Sequence, residues 1–198
     1  MIERQISTLG DDVDEVVIYT DGGCDPNPGP GGWATILWTA SFELELAGGA
    51  ADTTNNRMEM MAALQGLKTL GAPCRVTVVT DSQYLHNGMT DWITGWSKKG
   101  WRRGKKATLR NPDLWQALAR VALEHETYWS WTRGHAGQPE NERCDGLATL
   151  MTGRIHGSED AITHQQRRER SAPLPQLERR PTAPIFLDDQ TTLFCGDH

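Results

Sequence analysis

The sequence predicts an α/β fold with five strands, and two patterns carry this prediction. Runs rich in Val, Ile, Thr and aromatic residues predict short strands. These runs cover residues 16–20, 33–38, 42–49, 76–80 and 127–131. Apolar residues three or four positions apart predict helices over residues 53–67, 82–85, 90–96, 112–123 and 141–151. A chain of 198 residues is long enough for one such domain with its own core and a modest extension.

The first three strands follow one another through short links, which predicts an antiparallel meander. The third strand alternates polar and apolar residues strictly from Phe42 to Gly49. Alternation of this kind is typical of a strand with one solvated face, so we expect that arrangement here.

The chain divides into three parts by composition. Residues 1–14 are polar and acidic without a period and form an N-terminal lead-in, residues 15–155 form the domain, and residues 156–198 form a C-terminal extension. Within this extension, residues 157–184 are rich in Arg, Glu, Gln and Pro and lack an apolar period, which predicts a flexible linker. We therefore expect truncation after His156 to leave the activity of the domain largely intact.

The end of the extension, residues 184–194, is apolar again. It could add a strand to the exposed edge of the third strand at Phe42 to Ala47, since an added strand satisfies unpaired backbone groups. It could instead bind a separate protein partner. Asp188 and Asp189 within this segment, and the Pro-rich approach to it, disfavour a stable strand and so favour a recruitment segment or an idle one.

The four cysteines predict a reducing compartment. Cys24, Cys74, Cys144 and Cys195 are far apart and form no CxxC pair, so neither a disulfide framework nor a zinc site is indicated. Because no secretory signal or transmembrane run is visible, we expect a cytoplasmic protein without membrane attachment.

The net charge of −6 argues at first against a nucleic-acid partner, but the distribution of charge reverses that argument. Seven of the 20 basic residues fall between positions 98 and 110: Lys98, Lys99, Arg102, Arg103, Lys105, Lys106 and Arg110. Trp92, Trp96 and Trp101 are interleaved with this basic arm, as suits binding to a duplex backbone. The alternative for Trp92 and Trp96, four residues apart, is ordinary helix core.

Two strands end in the same Thr-Asp pair, at Asp21 and at Asp81. If these strands are parallel neighbours, both carboxylates leave the carboxyl edge of the sheet, where open α/β sheets bind their ligands. Like charges held that close repel unless a cation lies between them, and oxygen ligands favour a hard divalent cation. The alternative is that Asp21, which precedes glycine, only caps a turn.

Three further polar residues accompany this pair. Glu59 lies in the first turn of a predicted helix and borders its apolar face, although a first-turn Glu is often only a helix-dipole partner. His135 lies in a loop between glycines and could also be an ordinary surface histidine. Asp145 lies on the last predicted helix of the domain.

The motifs TDGGCDPNPGPGG, TTNNRMEMMAAL, VVTDSQYL and GHAGQPENERCDGLA, with the tryptophan-bearing basic arm between the third and fourth, resemble type 1 ribonuclease H in order and spacing. The resemblance covers residues 15–155. It implies a ribonuclease H-like fold: a five-stranded mixed sheet, with an antiparallel meander plus parallel strands, flanked by helices and carrying a basic protrusion. It also implies Mg²⁺-dependent endonucleolytic cleavage of the RNA strand of RNA–DNA hybrids, with little sequence preference.

The resemblance also assigns residues to roles. The metal-binding catalytic carboxylates are Asp21, Glu59, Asp81 and Asp145, and His135 is the mobile-loop histidine. Two Mg²⁺ ions are implied per site, with Mn²⁺ as a substitute, and a monomer is expected. The implied contacts to the hybrid backbone and minor groove are Asn27, Asn55, Asn56 and Gln83, with Thr54, Arg57 and Asn111 near DNA phosphates and Trp92, Lys98, Lys99, Trp101, Arg102 and Arg103 on the arm.

Two other functions are considered. A hybrid-binding module without catalysis is disfavoured because all four carboxylates and the histidine are present. Another nuclease or strand-transferase of the same fold, such as a resolvase or integrase relative, cannot be separated by fold alone. The helix beginning Asn55-Asn56-Arg57 and the basic arm favour the hybrid nuclease.

Overall fold

The computed structural model of this protein describes residues 15–102, 108–134, 138–152 and 159–187. In these ranges the chain forms seven strands: β1 Glu15–Cys24, β2 Gly29–Trp38, β3 Phe42–Thr53, β4 Arg75–Thr80, β5 Glu126–Trp131, β6 His164–Glu169 and β7 Arg180–Pro181. They build one mixed sheet in the order β6-β3-β2-β1-β4-β5-β7. The predicted fold class and all five predicted strands are confirmed, but the sheet is wider by two strands.

Strand directions follow the expected mixture. β1, β2 and β3 form an antiparallel meander, whereas β1, β4 and β5 run parallel. β6 and β7 add to the two outer edges in antiparallel orientation. The two central parallel strands, β1 and β4, therefore end at the same edge of the sheet.

The described helices are α1 Asn55–Lys68, α2 Gln83–Asn87, α3 Ile93–Ser97, α4 Pro112–Ala122 and α5 Pro139–Thr152. Thr54 caps α1, as its hydroxyl accepts a hydrogen bond from the Arg57 N–H at 3.4 Å. A π-helical turn over Gly88–Trp92 joins α2 to α3, so the two short helices predicted there form one helical segment.

Helices cover both faces of the sheet. The larger core lies on the face of α1 and α4, where Ile18, Trp33, Leu67, Trp115 and Trp129 are fully buried. The smaller core joins Val17, Tyr19 and Ile36 to Cys144 and Ala148 of α5. Leu174 and Leu177 of the extension also pack against this second core.

β3 does not have the solvated face that its alternation predicted. Glu43 and Glu45 are only 8% and 3% exposed. Arg143 of α5 forms ion pairs with both glutamates, and Arg168 of β6 forms ion pairs with both at 3.1 Å. The prediction of a solvated face was wrong because charged side chains can be buried when they are paired. The cations that pair with Glu43 and Glu45 come from segments far along the chain.

Residues 157–184 were predicted to be a linker without regular structure, and this is wrong for β6 and β7. β6 pairs with β3 from Phe42 to Ala47, and β7 pairs with Tyr128 and Trp129 of β5. The edge of β3 considered for residues 184–194 is thus filled by an earlier, polar segment. A polar sequence can do this because strand pairing uses backbone hydrogen bonds. The domain boundaries stay a prediction.

The described start of the apolar segment docks on its own chain, although a recruitment or idle segment was favoured. Thr94 Oγ1 donates to the Pro184 carbonyl oxygen at 2.6 Å, and the Phe186 N–H donates to Ser97 Oγ at 3.1 Å. Ile185 packs against the larger core. Leu193 and Phe194 lie outside the described residues, so a protein partner for that end stays a prediction.

Membrane insertion was not expected, and no helix in the described part of the chain is long and apolar enough to span a bilayer.

Candidate active site

The register of β1 and β4 places Asp21 beside Asp81. Thr20 of β1 lies opposite Thr80 of β4, and this is the last pair of their parallel ladder. Asp21 and Asp81 are the next residue of each strand segment, so their backbones leave the sheet at neighbouring positions. β1 itself continues to Cys24 by pairing with β2, which keeps Asp21 on regular backbone rather than in a turn. The alternative of a simple turn cap does not describe this position.

Glu59 reaches the same edge because α1 packs very closely on β1. A Cβ atom at Gly22 would lie 2.4 Å from the Glu59 backbone nitrogen and 2.3 Å from the Met58 carbonyl carbon. Only glycine permits this approach. Ser82, directly after Asp81, donates a hydrogen bond from its hydroxyl to Glu59 Oε2. Its hydroxyl also accepts from the Leu85 N–H at 3.3 Å, which caps α2.

Asp145 approaches from the opposite face on α5. The neighbouring Cys144 is fully buried and its thiol donates to the Tyr19 carbonyl oxygen at 3.5 Å. α5 also passes over Gly32, where a Cβ atom would lie 2.0 Å from the Ala148 carbonyl oxygen. These two contacts fix α5 against β1 and β2.

The charges of four acidic side chains influence one another at this edge of the sheet. Burial raises the pKa of Asp21 to about 7, helped by the charges of Asp81, Asp145 and Glu59 and opposed by a hydrogen bond from the Gly22 N–H. The pKa of Glu59 is also raised, by burial and by the charge of Asp81, against the hydrogen bond from Ser82. A site that raises carboxyl pKa values in this way favours a bound cation.

The donor set fits a hard divalent cation, because it consists of carboxylate oxygens. In the described part of the chain no three His, Cys, Asp or Glu side chains are close enough together to hold a metal ion. The side chains therefore share an electrostatic field in this structure without forming a ligand shell.

The end of β5 and the residues that follow it contact Asp81 and the end of β4. Trp131 donates from Nε1 to the Asp81 carbonyl oxygen at 3.0 Å, and the Thr132 N–H donates to the Thr80 carbonyl oxygen at 3.0 Å. A Cβ atom at Gly134 would lie 2.6 Å from Asp81 Oδ2. The next residue, His135, lies outside the described residues.

The amide residues expected to contact a hybrid gather at the same edge. The Asn55 N–H donates to Asn27 Oδ1 at 3.4 Å, which joins the turn after β1 to the start of α1. Asn55 Oδ1 is buried and has no hydrogen-bond partner. Gln83 is exposed at the first position of α2, and Asn56 lies in the first turn of α1. Asn111, in the left-handed region with φ of 52°, precedes α4.

The arm begins beside a cluster of aromatic rings. Trp92, 42% exposed, lies 5.7 Å from Trp96 between ring centroids, and Trp96 lies 5.0 Å from Trp115. Trp96 therefore belongs to the packed helix face, as the alternative proposed, whereas Trp92 presents much of its ring to solvent. Lys98, Lys99 and Arg102 are exposed, Trp101 is partly buried, and Arg103 lies outside the described residues.

Several residues that hold the site were not predicted from the sequence, or were predicted with other partners. Ser82 follows Asp81 at a helix start, so its capping role was a visible signal for a positioned hydroxyl. Trp131 is aligned with Thr80 in the β4–β5 register, which sequence alone does not give. Arg57, expected near a phosphate, forms ion pairs with Asp113 and with Glu159 of the extension.

Known proteins share both the sequence and the fold of this chain. A sequence profile of the family described as RNase H matches residues 13–152. The Ribonuclease H of Pelobacter propionicus is 51% identical over 143 residues, which is 72% of this chain and 88% of that protein.

Two solved structures show the same fold. LC9-RNase H1, described as a type 1 RNase H with the type 2 active-site motif, has a TM-score of 0.74 at 24% identity and covers 91% of this chain and 98% of its own. LC11-RNase H1, solved in complex with an RNA/DNA hybrid, has a TM-score of 0.52 at 22% identity and covers 70% of this chain and 97% of its own.

The protein is a nuclease of the α/β class, as its sheet, the acidic residues at the sheet edge and its similarity to known RNase H proteins indicate. The matched profile spans most of the domain, and the Pelobacter relative is similar over nearly its whole length. The chain belongs to the RNase H family.

Proposed function

We propose that this protein is an endoribonuclease that hydrolyses the RNA strand of RNA–DNA hybrids with little sequence specificity. The observation that carries the proposal is the adjacency of Asp21 and Asp81 at the end of the β1–β4 ladder, with the charges of Glu59 and Asp145 acting on the same point. Four acidic groups from two strands and two helices at one sheet edge suit phosphodiester hydrolysis supported by divalent cations.

Asp21, Glu59, Asp81 and Asp145 would hold two Mg²⁺ ions, with Mn²⁺ as a substitute. When bound, such ions activate a water molecule and neutralise charge on the scissile phosphate. The protein's own part is to fix the carboxylates. Ser82 orients Glu59, the Gly22 N–H orients Asp21 at 2.7 Å, and α5 carries Asp145 against β1.

Selectivity for a hybrid is assigned to the amide side chains at the same edge. Asn27, Asn55, Asn56 and Gln83 can exchange hydrogen bonds with ribose 2′-hydroxyls and base edges in a shallow minor groove, and the 2′-hydroxyl distinguishes RNA from DNA. The hybrid bound to LC11-RNase H1 supports this substrate for the present fold. Lys98, Lys99, Arg102 and Arg103, with Trp92 and Trp101, would contact the backbone further along the duplex, and Thr54, Arg57 and Asn111 would lie near DNA phosphates.

His135 is proposed to relay a proton or to assist product release, because the residue before it, Gly134, lies against the Asp81 carboxylate. Its substitution should slow turnover without preventing hybrid binding. We further propose that the enzyme acts as a monomer in the cytoplasm.

The experiment is cleavage of an end-labelled RNA–DNA hybrid beside duplex DNA and duplex RNA of the same sequence, with Mg²⁺ and with EDTA. We expect internal cuts in the RNA strand of the hybrid when Mg²⁺ is present and none in EDTA. Cleavage of duplex DNA or strand transfer would instead identify another nuclease of this fold, and hybrid binding without any cleavage would identify a binding module.

A further inference from the structure

The guanidinium of Arg57 is held by two carboxylates at once. Its Nε and Nη2 donate to Glu159 Oε1 and Oε2 at 2.8 and 2.7 Å. Its Nη1 and Nη2 donate to Asp113 Oδ1 and Oδ2 at 3.2 and 2.8 Å. Both pairs are bidentate, the geometry in which Arg also binds phosphate.

This arrangement leaves little of Arg57 for a further ligand. A guanidinium has five N–H groups, and four of them, one on Nε, one on Nη1 and both on Nη2, are used by Glu159 and Asp113. Two negative charges around one positive charge also make the local field unfavourable to another anion. A phosphate can be bound bidentately by Arg57 only if one carboxylate leaves.

The position of Arg57 would otherwise favour a phosphate. Arg57 lies in the first turn of α1, two residues before Glu59, at the edge of the sheet where the acidic residues converge. The N–H groups of Asn55 and Arg57 already donate to Asn27 Oδ1 and Thr54 Oγ1, so the Arg57 guanidinium is the group that would attract an anion at the start of α1.

Glu159 comes from the extension and is anchored in place. Thr53 Oγ1 donates to Glu159 Oε1 at 3.1 Å, and Trp33 Nε1 donates to the Glu159 carbonyl oxygen at 3.0 Å. Trp33 is itself fully buried in the larger core. The Glu159 and Arg57 side chains are each 24% exposed, whereas Asp113 is 58% exposed. Of the two carboxylates, Glu159 is therefore the one built into the protein.

We propose that Glu159 competes with a backbone phosphate of the substrate for the guanidinium of Arg57, so that the extension lowers the affinity of the enzyme for nucleic acid. The inference rests on the proposed function and assigns the extension a part in setting substrate affinity. A purely structural ion pair predicts the opposite sign, because removal of a brace would disorder the start of α1 and weaken binding.

The test is hybrid binding by the full-length chain in EDTA, measured by fluorescence anisotropy over a range of salt concentrations. Glu159→Gln keeps the shape of the side chain and an oxygen that can accept from Thr53, but removes the charge. The matched control is Glu126→Gln, which removes one charge from an exposed ion pair with Arg75 at the amino-terminal ends of β4 and β5. Thermal melting of each variant checks that the fold is retained.

We expect Glu159→Gln to bind the hybrid about three- to fivefold more tightly than Glu126→Gln does. A change of this size is expected when one partly exposed ion pair no longer competes with the substrate. The log-log salt slope should steepen by about one, since one more phosphate contact forms. In an Arg57→Gln background, Glu159→Gln should give no gain in affinity for the hybrid. Equal or weaker binding by Glu159→Gln, or a gain that persists without Arg57, overturns the proposal.

The same titrations are run on duplex DNA of the same sequence. A wild-type chain that neither prefers nor cleaves the hybrid would overturn the proposed function. The comparison of Glu159→Gln with Glu126→Gln can still be interpreted in that case, because duplex DNA also presents phosphates to Arg57.

Discussion

Ser82 donates a hydrogen bond from its hydroxyl to Glu59 Oε2, and this contact joins the start of α2 to the fifth residue of α1 across the acidic edge. The same hydroxyl caps α2 through the Leu85 N–H. One side chain thus orients a proposed metal ligand and stabilises the helix that follows Asp81.

We expect Ser82→Ala to lower kcat for hybrid cleavage several-fold, because Glu59 loses the donor that orients it. Loss of the cap should also cost about 1 kcal/mol of stability. Ser82→Thr retains the hydroxyl and should retain most activity. The measurement is kcat well below the melting temperature, and a Ser82→Ala enzyme with the kcat of the wild type would show that Glu59 needs no such orientation.

Asp21→Asn, Glu59→Gln and Asp81→Asn should each abolish Mg²⁺-dependent hydrolysis while the fold is retained. Each change removes a charge from a group of mutually repelling carboxylates. Without metal, the melting temperature should therefore rise by a few degrees, equivalent to about 1 kcal/mol in a domain of this size. Calorimetry in EDTA measures the melting temperature, and a cleavage assay with Mg²⁺ measures hydrolysis. Near-normal turnover in any one variant would remove that residue from the site.

The buried glutamates of β3 should make stability depend on pH. Burial alone would raise the pKa of Glu43, but hydrogen bonds from Arg143 and Trp38 outweigh it and lower the pKa to about 2. A lowered folded-state pKa means that this stabilisation is complete above the unfolded value of about 4.5 and is lost as the pH falls toward 2.

Glu43→Gln should accordingly cost about 1.5–3 kcal/mol at pH 7, the range for a hydrogen bond to a charged group. The difference from the wild type should shrink between pH 4.5 and pH 2. Urea unfolding at several pH values measures this difference in unfolding free energy. The control is Glu178→Gln, because Glu178 is an exposed residue of the extension. A difference that stays constant with pH would contradict the role of the ionised carboxylate.

Replacing Lys98, Lys99, Arg102 and Arg103 by Ala should weaken hybrid binding and flatten its salt dependence, by up to about 0.9 in log-log slope for each lost phosphate contact. Cleavage at saturating hybrid should persist. For a control matched in charge, Lys98→Ala with Lys99→Ala can be compared with Lys68→Ala and Arg120→Ala, two exposed cations outside the arm. An unchanged slope in the quadruple variant would mean that the arm does not contact the duplex.

Truncation after His156 is now expected to destabilise the domain, although the sequence analysis predicted little effect. The cut removes β6, β7 and the apolar contacts of Leu174 and Leu177 with the second core. It also exposes Glu43 and Glu45 on β3. Truncation after Leu187, which removes only residues outside the described ranges, is the control and should melt like the full chain. Equal melting temperatures for both truncations would show that the extension contributes nothing to the fold.

The sequence alone determined the parts of the protein that local patterns encode. β-branched runs predict the strands, and the repeated Thr-Asp endings single out Asp21 and Asp81, because both patterns lie within a few consecutive residues. The first turn of α1 could be assigned for the same reason, since Thr54 caps it through a contact three residues away.

The pairing of distant segments depends on the three-dimensional arrangement of the whole chain. The sequence of β6 is polar and without an apolar period, yet it forms a strand because β3 offers an edge of unpaired backbone groups. Glu43 and Glu45 are buried because Arg143 and Arg168 reach them from about a hundred residues away. The pairing of Arg57 with Glu159, 102 residues apart, has the same origin: an ion pair depends on where two side chains meet in space, which neither local sequence encodes.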